Sequence, residues 1–244
     1  MIDLTANLAE DVKTFVTLCL TKAPLNRWKP EIQKLISDEL LESKERCFRW
    51  AELQIMALER YRKESQIKEA LKTIPQTLED TYRKVLDNID SDDEKTARDI
   101  FVVICLSSVL FDAQTVASMV ELSFPEDIVK ICTTSLKTIL NENVQLAHFS
   151  VQGFLIVPEE GRQHHPCQFS ITDGHRNLTG KSVDILLQQI EVLTQAGAEK
   201  NLPFLYAAKH WNTHMNAAGG IDQLSPDLQA KINRLFTGSN VYII

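Results

Sequence analysis

The stretch CFRWAELQIMALERYRKESQIKEALKTIPQTLEDTYRKVLDNI, residues 47–89, sets the fold of this chain. Its apolar residues recur at helical spacing in three successive segments, so each segment predicts a helix with one buried face. Pro75 lacks a backbone N–H and ends the second segment, and Thr77 with Asp80 three residues later marks the start of the third. The buried positions predicted are Trp50, Leu53, Ala57, Leu58 and Tyr61, then Ile67, Ala70, Leu71 and Ile74, then Leu78, Tyr82, Val85, Leu86 and Ile89.

The composition is that of an ordinary globular protein. The 244 residues are 44% hydrophobic and 24% charged, enough to build a substantial core. A net charge of −7 argues against a general nucleic-acid binder or a basic membrane-surface protein. Five cysteines without CxxC spacing indicate reduced intracellular thiols. The longest apolar run, 100–106, is far shorter than the roughly 20 residues that cross a bilayer, and the start does not resemble a signal peptide. We expect a cytoplasmic protein without membrane association.

The glycines are confined to the second part of the chain. All eight lie at or after Gly153. A phosphate-binding loop needs glycine where backbone N–H groups approach the ligand. The part of the chain before Gly153 is therefore predicted to be a helical block without a nucleotide cradle.

Residues 48–89 resemble the helical segment that follows the nucleotide-binding core in fungal NACHT-type STAND proteins, which are signalling ATPases of the NOD-like-receptor kind. The resemblance rests on FRWAELQ at 48–54 and on IPQTLEDTY at 74–82. Ile74-Pro75 stands where the family usually has Leu-Pro, and Arg46-Cys47 stands where it often has Gly-Met. The resemblance continues to the end of the chain, more loosely after about residue 156.

The resemblance implies a mainly α fold: a helical domain at 1–90, a winged helix at 91–156, a loop with a short strand at 157–181 and a second helical segment at 182–244. It implies a non-catalytic regulatory segment that couples nucleotide state to activation in innate-immunity signal transduction. ATP or ADP would be held by the NACHT core, which the resemblance places before this chain, so no cofactor is expected in the chain itself. The expected partners are that core, a repeat domain (commonly ankyrin repeats) and other proteins, with no nucleic acid and no membrane.

Several local elements are predicted from residue patterns. Residues 1–6 are predicted to end a strand, and Asn7 to cap the first helix. Asp112 is predicted to cap a short helix. Apolar spacing predicts a helix over 125–140, and alternation at 144–148 predicts a strand.

His148 is the candidate site residue. The segment 148–155, HFSVQGFL, resembles the family pattern H-x-S-x-x-x-[FY]-L. The resemblance implies that His148 contacts the phosphates of ADP bound by the core and helps to hold the closed state, as an imidazole N–H can. The alternative is a structural histidine beside a short helix capped by Ser150. A hydrolase built on His148 and Ser150 is a further alternative, although two-residue spacing on a strand does not predict base-to-nucleophile geometry and there is no G-x-S-x-G motif.

Other patterns have competing interpretations. Gly180-Lys181-Ser182 after Gly174 is similar to a phosphate-binding loop, but five residues separate the glycines where four are required. A DNA-binding winged helix is also an alternative. Residues 157–182 are predicted to be an exposed polar loop, and the C-terminal aromatic segment is predicted to pack in a core rather than form a ligand cage. The metal-ligand candidates, which lack paired zinc spacing, are His164, His165, Cys167 and His175; the cage candidates are Tyr206, His210 and Trp211.

Overall fold

The computed structural model describes residues 4–42, 47–132, 137–140, 142–159, 165–189 and 201–237. The fold is mainly α, as the sequence predicts. Contacts divide the chain into two compact units, Met1–Val85 and Leu86–Ile244, where the sequence predicts a first domain boundary at residue 90.

The first unit opens with a long helix in place of the predicted strand end. The strand prediction is wrong over residues 4–6, and Asn7 lies inside the helix instead of capping it. Residues 1–3 lie outside the described part. Val12, Val16 and Leu20 are buried four residues apart and give this helix a continuous apolar face. The helices of this unit are α1 Leu4–Leu20, α2 Pro30–Glu42, α3 Phe48–Glu59, α4 Glu64–Lys72 and α5 Leu78–Leu86.

The three helices predicted within 47–89 are confirmed. Trp50 is 1% exposed, and its indole Nε1 donates to the Pro75 carbonyl oxygen at 2.9 Å. The Thr77 hydroxyl oxygen accepts from the Asp80 backbone N–H at 3.0 Å, so Thr77 caps α5 as predicted. Trp50 therefore fixes α3 to the turn that separates α4 from α5.

The second unit begins with helices around a small antiparallel sheet. The strands are β1 Phe111–Asp112, β2 Lys137–Leu140 and β3 Asn143–Leu146, and β3 lies between the other two. Val144 of β3 is paired with Phe111 of β1 on one side and with Ile139 of β2 on the other. The predicted helix over 125–140 is wrong at its end, because residues 137–140 form a strand on β3. The elements are α6 Glu94–Leu106, β1 Phe111–Asp112, α7 Ala113–Met119, α8 Asp127–Ile131, β2 Lys137–Leu140, β3 Asn143–Leu146 and α9 Phe149–Leu155.

The rest of the second unit is a helical layer in which α10, Ile171–Gln189, packs against α6 and against α11, Leu202–Ala217, and α12, Pro226–Phe236. The loop predicted at 157–181 is wrong from residue 171 onward, where α10 has already begun. The small residues that favour a loop interpretation instead allow close packing. Gly174, Thr179 and Ser182 are buried within α10. The predicted short strand is reduced to a bridge between Ile156 and Phe169.

Within the described part of the chain, no helix combines the length and apolar character that crossing a membrane requires.

Candidate functional site

His148 lies where the β2–β3 hairpin leads into α9. It is the N-cap of that helix, with extended backbone angles, and its ring Nδ1 accepts the Ser150 backbone N–H at 3.2 Å. The Ser150 hydroxyl lies 2.6 Å from the same ring nitrogen. The sequence predicts Ser150 as the cap of this helix, and that prediction is wrong. Ser150 is the second residue of α9, and His148 is the cap.

This geometry indicates the tautomer of the neutral ring. Because Nδ1 accepts a backbone N–H, it carries no proton, and the neutral imidazole holds its proton on Nε2. The Ser150 hydroxyl then donates to Nδ1. His148 therefore offers one N–H donor, at Nε2, while Nδ1 is used by the start of α9.

The two-residue spacing of His148 and Ser150 on a strand predicts no base-to-nucleophile geometry. The strand ends at Leu146, however, and the start of α9 brings the Ser150 hydroxyl to 2.6 Å from His148 Nδ1. The contact is the geometry of a cap, since the imidazole nitrogen also accepts the backbone N–H of Ser150.

The tripeptide Gly180-Lys181-Ser182 lies in the middle of α10, not in a loop. Backbone N–H groups inside a helix are directed along its axis to carbonyl oxygens and are not available to a phosphate. The Lys181 ammonium instead lies 2.8 Å from Asp99 Oδ2 on α6, and Asn177 Nδ2 donates to Asp99 Oδ1 at 2.8 Å. Lys181 therefore has a structural partner in the chain.

A cleft of about 850 Å³ lies beside this ion pair in the second unit. Its walls come from α6, the end of α7, α10 and the start of α12. Charged groups of both signs line it, and they include Lys95, Asp99, Glu121 and Lys181. Asp99 and Lys181 form an ion pair with each other, and the other charged side chains of the cleft are of both signs. The cleft therefore has no excess of positive charge that would favour a phosphate.

The metal-ligand candidates do not converge where the structure describes them. His165 Nδ1 accepts the Cys167 backbone N–H at 3.1 Å, and His165 Nε2 lies 3.7 Å from Asp87. Cys167 is buried, and burial raises the pKa of its thiol to about 12, which opposes the thiolate form that metals bind. His175 lies in α10 away from them, and His164 is outside the described part. Within the described ranges, no group of three ligands has the geometry of a metal site.

The aromatic segment of α11 packs as predicted, with Trp211 against Phe236 and Tyr206 edge-on to Phe111. Sequence reasoning missed a hydrogen-bonded histidine pair beside it. His175 Nδ1 lies 2.9 Å from His214 Nδ1, and His214 Nε2 lies 2.7 Å from the Tyr206 hydroxyl. Tyr206, His210 and His214 are spaced four residues apart and so lie on one face of α11. This spacing is the sequence feature from which a cluster of these three side chains could have been predicted.

No protein-family model matches this chain, and neither curated proteins nor solved structures give a significant match.

Proposed function

We propose that this chain is a non-catalytic regulatory segment of a NACHT-type signalling NTPase, in which residues 91–156 act as a winged helix that reports nucleotide state through His148. The observation that carries the proposal is the order of elements α6, β1, α7, α8, β2 and β3 with sheet order β1-β3-β2, which is compatible with the winged helix that the family resemblance implies. His148 follows directly on the hairpin of this unit.

The geometry of His148 supports the role that the family resemblance implies. Its Nδ1 is held by the start of α9, so the ring has a fixed orientation and a single donor at Nε2. A neutral N–H donor of fixed direction suits a phosphate oxygen supplied by another domain. The function of the segment is to add this donor to a nucleotide bound elsewhere, and the chain itself performs no reaction on the nucleotide.

The test is a chimera that joins this chain to the NACHT core of a related protein, with the release of fluorescent ADP as the measurement. His148→Asn is the informative variant, because asparagine is a good N-cap and keeps α9 capped while it removes the Nε2 donor. A charge-assisted hydrogen bond contributes about 1.5–3 kcal/mol, so we expect ADP release to be about tenfold faster or more.

The matched control is His148→Ala, which removes both the cap and the donor. We expect it to release ADP as fast as His148→Asn does and, in addition, to lower the melting temperature of the chain. If His148→Asn leaves the release rate unchanged and only His148→Ala changes melting, the histidine is a cap and the proposed sensor role is wrong.

The isolated chain should neither bind nor hydrolyse ATP, because Gly180-Lys181-Ser182 lies within a helix and Lys181 is paired with Asp99. Equilibrium binding of labelled ATP is the measurement, and Lys181→Ala is the comparison. Micromolar binding that is lost in Lys181→Ala would contradict this prediction and place a nucleotide site in the cleft beside α10.

A further inference from the structure

Four groups from three parts of the second unit form one continuous hydrogen-bonded chain. The Ser108 backbone N–H, after α6, donates to the Tyr206 hydroxyl oxygen at 3.4 Å. Tyr206 is joined to His214 at 2.7 Å within α11, and His214 to His175 of α10 at 2.9 Å. Tyr206 is 4% and His214 1% exposed, so water has little access to the middle of this chain.

We assign the hydrogens of this chain so that the Tyr206 O–H, whose oxygen accepts from Ser108, donates to His214 Nε2 at 2.7 Å. In this assignment His214 carries its proton on Nδ1 and donates it to His175 Nδ1. His175 in turn holds its proton on Nε2. Both imidazoles are neutral, and every shared hydrogen has one donor and one acceptor.

The surroundings oppose a further proton. Burial, followed by the nearby His175 and His210, lowers the pKa of His214 to about 4, and burial lowers the pKa of His175. His210 stacks on Tyr206, and burial and Lys209 lower its pKa as well. Several charged groups on the packed helices form ion pairs with one another: Asp173 with Arg176 on α10, Asp99 of α6 with Lys181, and Lys231 of α12 with Asp184 and Asp227. α6 also carries Glu94, Lys95 and Arg98. α12 also carries Arg234, whereas α7 has no ionisable side chain.

We propose that the Tyr206–His214–His175 chain is an acid-sensitive lock that holds α11 on α10 while both histidines are neutral and releases it when they take up protons. When both rings carry two protons, the His175 Nδ1–H and the His214 Nδ1–H face each other across the 2.9 Å contact with no acceptor between them. Full protonation therefore breaks the link between α10 and α11.

The direction of the effect follows from linkage. A histidine whose pKa is lower in the folded protein than in the unfolded chain contributes stability that is fully present above the unfolded value of about 6.5. That stability is lost as the pH falls towards the folded pKa. For His214 the loss extends from about pH 6.5 down to about pH 4. The lock is therefore closed at neutral pH and weakens in acid.

The test is amide hydrogen exchange of the full chain at pH 7 and pH 5, corrected for the intrinsic pH dependence of exchange. We expect the opening constant of α10 and α11 to rise about twentyfold between these values, from His214 alone. The amides of α3 in the first unit serve as the internal reference and should change less. Imidazole ¹⁵N spectra at pH 7 should show His214 protonated at Nδ1 and His175 at Nε2.

The variant His175→Asn separates the lock from general acid destabilisation. The asparagine carbonyl can accept the His214 Nδ1–H but does not titrate, so we expect a folded protein with a smaller pH effect. His210→Gln is the control on the same helix. Among the described residues, the His210 ring makes no hydrogen bond, so this variant should retain most of the pH dependence of the parent. The proposal is overturned if His175→Asn and the parent respond equally, if α3 opens as much as α10 and α11, or if His214 carries its neutral-pH proton on Nε2.

Discussion

Two glycines at helical positions differ in the space around their missing side chains. A Cβ at Gly153 in α9 would meet nothing within 4 Å. A Cβ at Gly174 in α10 would lie 2.4 Å from Leu106 Cδ1 and 3.0 Å from the Phe169 ring. At residue 153 glycine lowers the stability of the helix, because it loses more conformational freedom on folding than other residues do. At residue 174 it allows α10 to approach its neighbours closely.

Gly153→Ala should therefore stabilise the chain by up to about 1 kcal/mol, the difference in helix propensity between the two residues. Gly174→Ala is the matched substitution and should destabilise it by about 1–3 kcal/mol, because Leu106 and the buried Phe169 must move. Urea unfolding of both variants beside the parent is the measurement. Equal shifts of the same sign would contradict the packing described for Gly174.

The role of Gly153 illustrates what the sequence can and cannot predict for a single residue. The sequence predicts Ser150 as the cap of α9, and residue 153 would then be the third helical position, where an acidic side chain completes a capping box. With His148 as the cap, residue 153 lies beyond the third helical position and cannot reach the cap N–H. Histidine is not among the residues that usually cap helices, so residue type alone favours Ser150 over His148.

At the scale of the element, the end of α7 carries a residue in a conformation that favours glycine. Glu121 has φ of 61°. The Leu122 N–H bonds to the Ala117 carbonyl at 2.9 Å and the Glu121 N–H to the Ser118 carbonyl at 3.4 Å, the pattern of a Schellman motif. The left-handed conformation costs an L-residue with a Cβ roughly 1–2 kcal/mol.

Glu121→Gly should raise the unfolding free energy by about 0.5–1 kcal/mol, the relief of this strain less the added freedom of glycine in the unfolded chain. Glu121→Ala removes the charge but keeps the Cβ and should leave stability close to that of the parent. Thermal melting of the two variants is the measurement. A gain in Glu121→Ala as large as in Glu121→Gly would assign the effect to charge instead of backbone conformation.

The elements that the sequence predicted well are those with one clean apolar stripe. In α4, Ile67 and Leu71 are buried four residues apart, as their spacing predicts. The first half of α10 is predicted as a loop because it packs through small residues, Gly174 and Thr179, which are buried but carry no hydrophobic signal. Residues 137–140 are predicted as helix because they extend the apolar spacing of 125–140, whereas in the structure they pair with β3 across a hairpin. Strand pairing depends on the neighbouring strand, which apolar spacing within one segment does not encode.

At the scale of the whole molecule, each compact unit has its own hydrophobic core. Trp28 and Trp50 lie in the core of the first unit, and Trp211 in that of the second. The sequence predicted core residues in both regions, because apolar periodicity reports burial. It did not predict the His175–His214 pair, since 39 positions separate two residues whose meeting depends on how α10 and α11 pack.

The charge of the molecule predicts that it does not bind DNA. The net charge is −7, and α8 offers Lys130, whose ammonium lies 2.6 Å from Asp127 on the same helix. Neutralisation of phosphates by free cations supplies most of the affinity for a duplex, and this helix supplies almost none. Fluorescence anisotropy with a labelled random duplex at physiological salt should show no binding. Binding that weakens steeply with added salt would contradict the prediction and favour a DNA-binding winged helix.

The contacts of Asp99 on α6 with Lys181 and Asn177 on α10 have a consequence for the alignment of the two helices. Apolar side chains of similar size can exchange neighbours when one helix slides past another by a turn of about 5.4 Å, and such a slip costs little. Here the same slip would leave a carboxylate and an ammonium buried without partners, which costs far more than a mismatched methyl group. The ion pair thus specifies one alignment of the two helices among several that hydrophobic packing alone would accept.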